Sequence, residues 1–476
     1  MFGRLRDTLG SIRRSAAERF GVVPFRKHAV ERRVPRTPWY QSDGSTLTAL
    51  LTVQVITGIT MMLYYTNSAE HTYASVRYIT EDLTMGRLVR AIHYWTAGFM
   101  VTIMAIHVFR HLVLGGYKAP REGTWVIGVF QFFLVLAMSF TGYVLRWDER
   151  AVYAARVVLN MFYKVPLIGE ELVFLVQGGP HLGSTTLTRM FSVHIWIVPL
   201  LLLFLVAIHL YLVVLHGVTS KDERIQPVNN AREQKRVYRE AAESEERGEW
   251  FHLRTMFVTG GMALIVFSII FAIALTVGVR EMYPEGNLVE RSMPREEWWF
   301  WWYSSAIALL PPTVSPIFLA GFPLLLFAGM LLLPLLDRGP NRGLRKRPFW
   351  TVFVVLCVFS LLYLSELRTR SPWTGWPDPN PPETPHGFVL SKTSEMGRLR
   401  FAQYGCNSCH SVAAQGRKAG PDLAGIRHPL SQAWLRGFIL APPQGTAMPA
   451  YKDRITEEAL GQVVDYVLVA QTFPRE

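Results

Sequence analysis

The sequence predicts an all-α protein: a transmembrane helical bundle of seven spans followed by a small soluble domain at the C-terminus. Three observations carry this prediction. Half of the 476 residues are hydrophobic, and they gather in seven runs about as long as a helix needs to cross the hydrocarbon core. Lysine and arginine collect in alternate connections between those runs. Beyond the last run, a proline-rich stretch leads to a segment of mixed composition that contains Cys-Asn-Ser-Cys-His at 406–410.

The apolar runs lie at about 46–65, 88–114, 124–145, 187–216, 253–279, 314–336 and 349–366. An odd number of spans puts the termini on opposite sides. The first 36 residues carry ten Lys or Arg, and the connections 115–123, 217–251 and 337–348 are also basic, all on one side. Positive flanks stay cytoplasmic, so that side is the negative (n) side and the C-terminus lies on the positive (p) side. The net charge of +13 follows from topology and contact with anionic lipid, with no need for nucleic acid. Residues 1–39 read as an n-side amphipathic segment. Their Arg-rich character also suits a transit peptide, but Asp7 and Glu18 favour a retained surface helix.

Four histidines in two spans carry the chemistry. His93 and His107 lie in the second span, His194 and His209 in the fourth. At 100° and 1.5 Å per residue, 14 or 15 positions return to nearly the same helical face roughly 21 Å further along. Ionisable residues inside a membrane are costly and default to a functional reading. Both spans run from p to n, so His93 shares a depth with His194 and His107 with His209. The pairs could clamp two non-covalent b-type haems, one near each surface. Gly58, Gly128 and Gly142 in the neighbouring spans would let a helix approach a flat macrocycle, although small-residue packing gives the same pattern. Arg90 and Arg110 stand one turn outside His93 and His107, where haem propionates would emerge; snorkelling to the interface is the alternative.

Residues 367–395, with Pro377, Pro379, Pro381, Pro382 and Pro385, read as a stiff linker, and 396–476 as a small p-side domain. Cys406 and Cys409 can form thioethers to a haem, leaving His410 as axial ligand. The turn Gly420-Pro421-Asp422-Leu423 offers a carbonyl to orient that ring. Met448 is the preferred second ligand, with Met396 as competitor, since a thioether raises the potential. Cys357 stands alone in the last span, so an iron–sulfur cluster of ordinary ligand count must come from a partner.

With these features in place, the chain resembles the cytochrome b of quinol:cytochrome c oxidoreductases, the Rieske/cytochrome b (bc/bf) family. Residues 40–220 are most similar to the shorter cytochrome b of the bf branch, through Leu88-Val-Arg-Ala-Ile-His93, His107-Val-Phe-Arg110, Gly115-Gly-Tyr-Lys-Ala-Pro-Arg-Glu122 and Ser184-Thr-Thr-Leu-Thr-Arg189. Residues 221–366 resemble that branch's separate subunit IV, here fused, and a class I cytochrome c domain follows. The resemblance implies a four-helix haem core holding two haem b, one covalent haem c, and oxidation of quinol at the p side with a Rieske [2Fe–2S] protein, contributing to a proton gradient. It also implies other complex subunits, a soluble or membrane cytochrome acceptor, quinone reduction on the n side, a homodimer, and a bacterial cytoplasmic membrane with the N-terminus inside. The family's Pro-Glu-Trp-Tyr motif corresponds to Glu296-Glu297-Trp298-Trp299, leaving Glu297 as the catalytic carboxylate. This sequence replaces the motif's Pro and Tyr, and two further departures stand out: Leu145-Arg146-Trp147 replaces Leu-Pro-Trp near the expected quinol pocket, and Gln41 replaces the cysteine that binds an extra haem in the bf branch. A plain b/c cytochrome conduit between the quinone pool and a p-side enzyme is the competing reading, and it would not need Glu297.

Overall fold

The computed structural model describes residues 31–179, 181–226, 228, 230–279, 282, 297–311, 314–370, 381–416, 420–426, 430–443, 446, 448, 450–452 and 455–474. Most of the expected N-terminal amphipathic segment (1–30), Glu296 and the middle of the linker (371–380) lie outside the described residues.

Among the described residues, seven helices are long and apolar enough to cross a membrane. They are α1 (Asp43–Met62), α2 (Gly86–Leu114), α3 (Glu122–Val144), α4 (Ser184–His216), α5 (Met256–Thr276), α6 (Ile317–Leu336) and α7 (Pro348–Thr369). Large apolar side chains such as Leu200, Phe204, Leu264, Leu325 and Phe359 are exposed along them, as lipid-facing surface requires. Local chemistry places the ends. α1 opens with Asp43 in its first turn, where a carboxylate meets unsatisfied N–H groups. α2 stops at Gly115, whose φ of +62° suits a residue without Cβ.

α4 is not regular. Between Val193 and Ile197 it widens into a π-helical turn, and the Val198 N–H reaches back five residues to the Val193 carbonyl. Pro199 follows and cannot donate, so the regular ladder is already broken there. A π turn takes up one extra residue without lengthening the helix by a full step. That reconciles the 15-residue interval from His194 to His209 with the 14-residue interval from His93 to His107.

The chain divides into two compact units. One holds the described residues of Met1–Trp147, Val157–Met282 and Pro316–Val358; the other holds those of Asp148–Arg156, Tyr283–Ser315 and Phe359–Glu476. In the first unit the connections α2–α3, α4–α5 and α6–α7 are joined by buried charge. Asp337 accepts from Tyr117 Oη at 2.6 Å and Lys118 Nζ at 2.7 Å, and pairs with Arg347 at 2.7 Å. Arg121 grips the fully buried Glu223 with two bonds of 2.7 and 2.9 Å. Burial pushes the Glu223 carboxyl up, but the Arg121 guanidinium outweighs this and holds it below the ordinary carboxylate value.

In the second unit, the C-terminal part packs three helices: α8 (Lys392–Gln403), α9 (Gln432–Leu440) and α10 (Glu457–Ala470). Each starts on a serine or threonine whose side chain accepts a backbone N–H: Ser391, Ser431 and Thr456. Their core contains Phe401, Leu435, Leu460, Val464 and Tyr466. A Cβ on Gly397 would lie 1.9 Å from the Gln462 carbonyl, so the glycine permits α8 to cross α10 at close range.

Candidate functional site

The four membrane histidines face one another in pairs. The rings of His93 and His194 have centroids 6.5 Å apart, and so do those of His107 and His209. Imidazole nitrogens sit about 2.0–2.1 Å from a bound first-row metal, so two rings on opposite sides of one iron place their centroids roughly 6 Å apart. The spacing fits one metal atom between each pair.

Each ring is met by a dipeptide ending in glycine from a neighbouring span. A Cβ on Gly44 would lie 3.4 Å from His107 Cε1, one on Gly58 3.4 Å from His93, one on Gly128 3.4 Å from His209, and one on Gly142 2.6 Å from His194. Sequence reading identified three of these glycines and passed over Gly44. Any larger residue would fill the space beside the rings that a flat macrocycle needs, so the cradle suits haem.

The residue before each glycine decides what the ring's Nδ1 meets. Thr57 Oγ1 lies 2.8 Å from His93 Nδ1 and gives its own hydrogen to the Val53 carbonyl at 2.7 Å. Thr141 Oγ1 lies 3.0 Å from His194 Nδ1 and donates to the Ala137 carbonyl at 2.8 Å. A hydroxyl has one hydrogen, so in both cases the imidazole must donate and Nε2 keeps its lone pair. At His107 the partner is Asp43, whose Oδ1 lies 3.1 Å from Nδ1. At His209 the corresponding residue is Ile127, which offers no hydrogen bond.

Both candidate propionate arginines have partners within the protein. Arg90 is buried and donates to Thr80 Oγ1 at 2.7 Å. Arg110 clasps both oxygens of Asp43 at 2.7 Å, and its Nη2 reaches His111 Nε2 at 3.1 Å. Asp43, Thr57 and Thr141 are the site residues that sequence reading missed. The available signal was their place directly before glycines spaced at the histidine interval.

In the C-terminal part, Cys406–Ser408 form a 3-10 turn, and the His410 N–H donates to the Cys406 carbonyl at 2.9 Å. This places Cys406, Cys409 and His410 on one tight loop. His410 Nδ1 donates to the Pro421 carbonyl at 2.9 Å, the turn expected to orient it. Gly420 again stands against the ring, where a Cβ would come within 2.8 Å of Cε1. Met448 is half-buried, and Met396 lies on α8.

Glu297 is buried and precedes a short turn, Trp298–Phe300, in which Trp298 and Trp299 pack edge to face. Arg150 Nη1 approaches Glu297 Oε1 at 3.8 Å, with both side chains almost fully buried. Arg146 lays its guanidinium over the Tyr143 ring at 4.6 Å.

Comparison with known proteins finds two family matches and a similar solved structure. Residues 34–218 match the family described as cytochrome b/b6/petB, and residues 394–467 match the family described as cytochrome C oxidase, cbb3-type, subunit III. Among solved structures, the chain is similar to one described as a hyperthermophilic respiratory Complex III. Identity is 25%, the TM-score is 0.64, and the match covers 82% of this chain and 93% of that one.

Proposed function

We propose that this chain, a multi-pass membrane cytochrome b carrying a C-terminal cytochrome c domain, is the core of a quinol:cytochrome c oxidoreductase that works with a Rieske [2Fe–2S] protein. The observation that carries this reading is the two stacked pairs of facing imidazoles with a glycine against every ring. His93 and His194 would hold the p-side haem b, and His107 and His209 the n-side haem b. Cys406 and Cys409 would bind haem c covalently, and His410 and Met448 would hold its iron. Arg90 and Arg110 would add positive charge near haem carboxylates. When bound, these groups supply one-electron carriers, the b pair across the membrane and the c group toward a cytochrome acceptor.

The chain's own residues do the positioning and the proton chemistry. Thr57 and Thr141 hold their histidines with Nε2 free for iron. Glu297, buried beside Arg150, would take a proton from quinol on the p side. The basic connections support an N-terminus inside and a cytochrome c domain outside, and the membrane would be a bacterial cytoplasmic one, as the resemblance implies. The complex would be a homodimer with further subunits, and quinone would be reduced near the n side.

Glu297→Gln separates this enzyme from a non-bifurcating conduit. The parent should show a b to c haem ratio near two to one by pyridine haemochrome and should co-purify with a Rieske protein in mild detergent. The variant should keep that ratio and full reduction by dithionite, while quinol oxidation falls about 10² to 10⁴-fold. Turnover within a few-fold of the parent would favour the conduit, and a ratio of one to one would end the paired-haem reading.

A further inference from the structure

The four residues that precede the ring-facing glycines are Thr57, Thr141, Ile127 and Asp43. Three are neutral and one is charged. We propose that Asp43 is a positioning residue that makes the His107/His209 haem site electronically unlike the His93/His194 site, holding its reduction potential down through His107. The inference rests on the haem placement given above and deepens it.

The geometry is closed on all sides. Asp43 has a side chain only 6% exposed, and its Oδ1 lies 3.1 Å from His107 Nδ1. A carboxylate can only accept, so the ring donates from Nδ1 and its Nε2 keeps its lone pair, with the His209 ring centroid 6.5 Å away. The same carboxylate takes two charge-assisted bonds from Arg110, both 2.7 Å. Arg110 in turn contacts His111 Nε2, and the His107 and His111 rings lie 4.6 Å apart, centroid to centroid. Asp43 therefore cannot swing away from His107 without leaving Arg110 buried and uncompensated.

A carboxylate behind a ligating imidazole draws its Nδ1 proton and raises ring basicity. A more basic ligand favours ferric over ferrous iron, which lowers the potential. A threonine hydroxyl accepts the same hydrogen bond without a charge, so His93 and His194 lack this bias. Arg110 offsets part of the Asp43 charge in the intact site. Removing Asp43 subtracts the carboxylate and exposes the Arg110 cation, and both changes favour the reduced haem.

The test is a potentiometric titration of the b haems in the whole chain, comparing Asp43→Asn and Asp43→Thr with the parent. Thr57→Val serves to identify the midpoint of the other site. The expected result is an upward shift of the His107/His209 midpoint, with the reduction equilibrium changed at least tenfold, or 59 mV for one electron. The other midpoint should stay in place. Unchanged midpoints at full haem content would overturn the proposal. If both variants shed haem, Asp43→Glu decides: a restored haem at the parent's potential upholds it, and a haem missing or shifted upward refutes it. A parent chain with fewer than two b haems would instead defeat the haem placement itself.

Discussion

Both the membrane bundle and the C-terminal domain set a glycine against a histidine ring, but they find the ring's hydrogen-bond partner in different places. In the C-terminal domain everything is local: Gly420 touches His410, and the adjacent Pro421 carbonyl accepts from Nδ1. In the bundle the partner comes from another span, with Thr57 serving His93 and Asp43 serving His107 across 64 residues of chain. The domain can define its site by turn geometry and, on the proposed reading, by covalent attachment. The bundle depends on helix packing, so its sites should be the ones that small changes in packing disturb.

Replacing both Cys406 and Cys409 by Ala should give the largest effect. Covalent haem staining on a denaturing gel should vanish, while the b-type absorption of the purified protein persists. Staining that survives on an N-terminal fragment would show that the two regions do not differ in this way. Next in size is Gly142→Val, whose first added carbon falls 2.6 Å from His194 Cε1. The expected outcome is one b haem per chain instead of two, with haem c unaffected. Gly98→Ala is the matched control, since a Cβ there meets nothing within 4 Å. The smallest change is Thr57→Val, which keeps shape but removes the acceptor for His93. Loss of such an outer partner typically costs about 10 to 100-fold in affinity, read as faster transfer of b haem to an apoglobin trap. Equal transfer rates in parent and variant would mean that the bundle orients His93 by packing alone.

The seven spans and the histidine stripe were legible because each depends on period and composition along one stretch of chain. The Cys406–His410 loop was legible for the same reason. The partners of the membrane histidines were not, because what makes Asp43 or Thr57 important is which span packs beside it. Asp43 looks in sequence like a helix-start carboxylate, and it is one, with the same side chain also turned to His107 and Arg110. Arg110 was read toward a propionate because nothing local to it offers a carboxylate. Glu297 emerged through the resemblance to Pro-Glu-Trp-Tyr, and its neighbour Arg150, far away in the sequence, carries no such label. The π turn in α4 was hidden because spacings of 14 and 15 residues both approximate one helical face.

The buried charges at the end of the bundle that holds residues 115–121 bear on how the chain could be cut. Asp337 is tied to Tyr117 and Lys118, Arg342 donates to the Gly115 carbonyl, and the Trp125 indole donates to the Met330 carbonyl. These bonds join α6 and its following loop to α2 and α3 without using the connection that runs between α4 and α5. Breaking one member of a buried ion pair typically costs about 3–5 kcal/mol. The α6–α7 connection and α6 are thus held to α2 and α3 by side-chain bonds as well as by the chain. A gene split between α4 and α5 could yield two polypeptides that still assemble as one body.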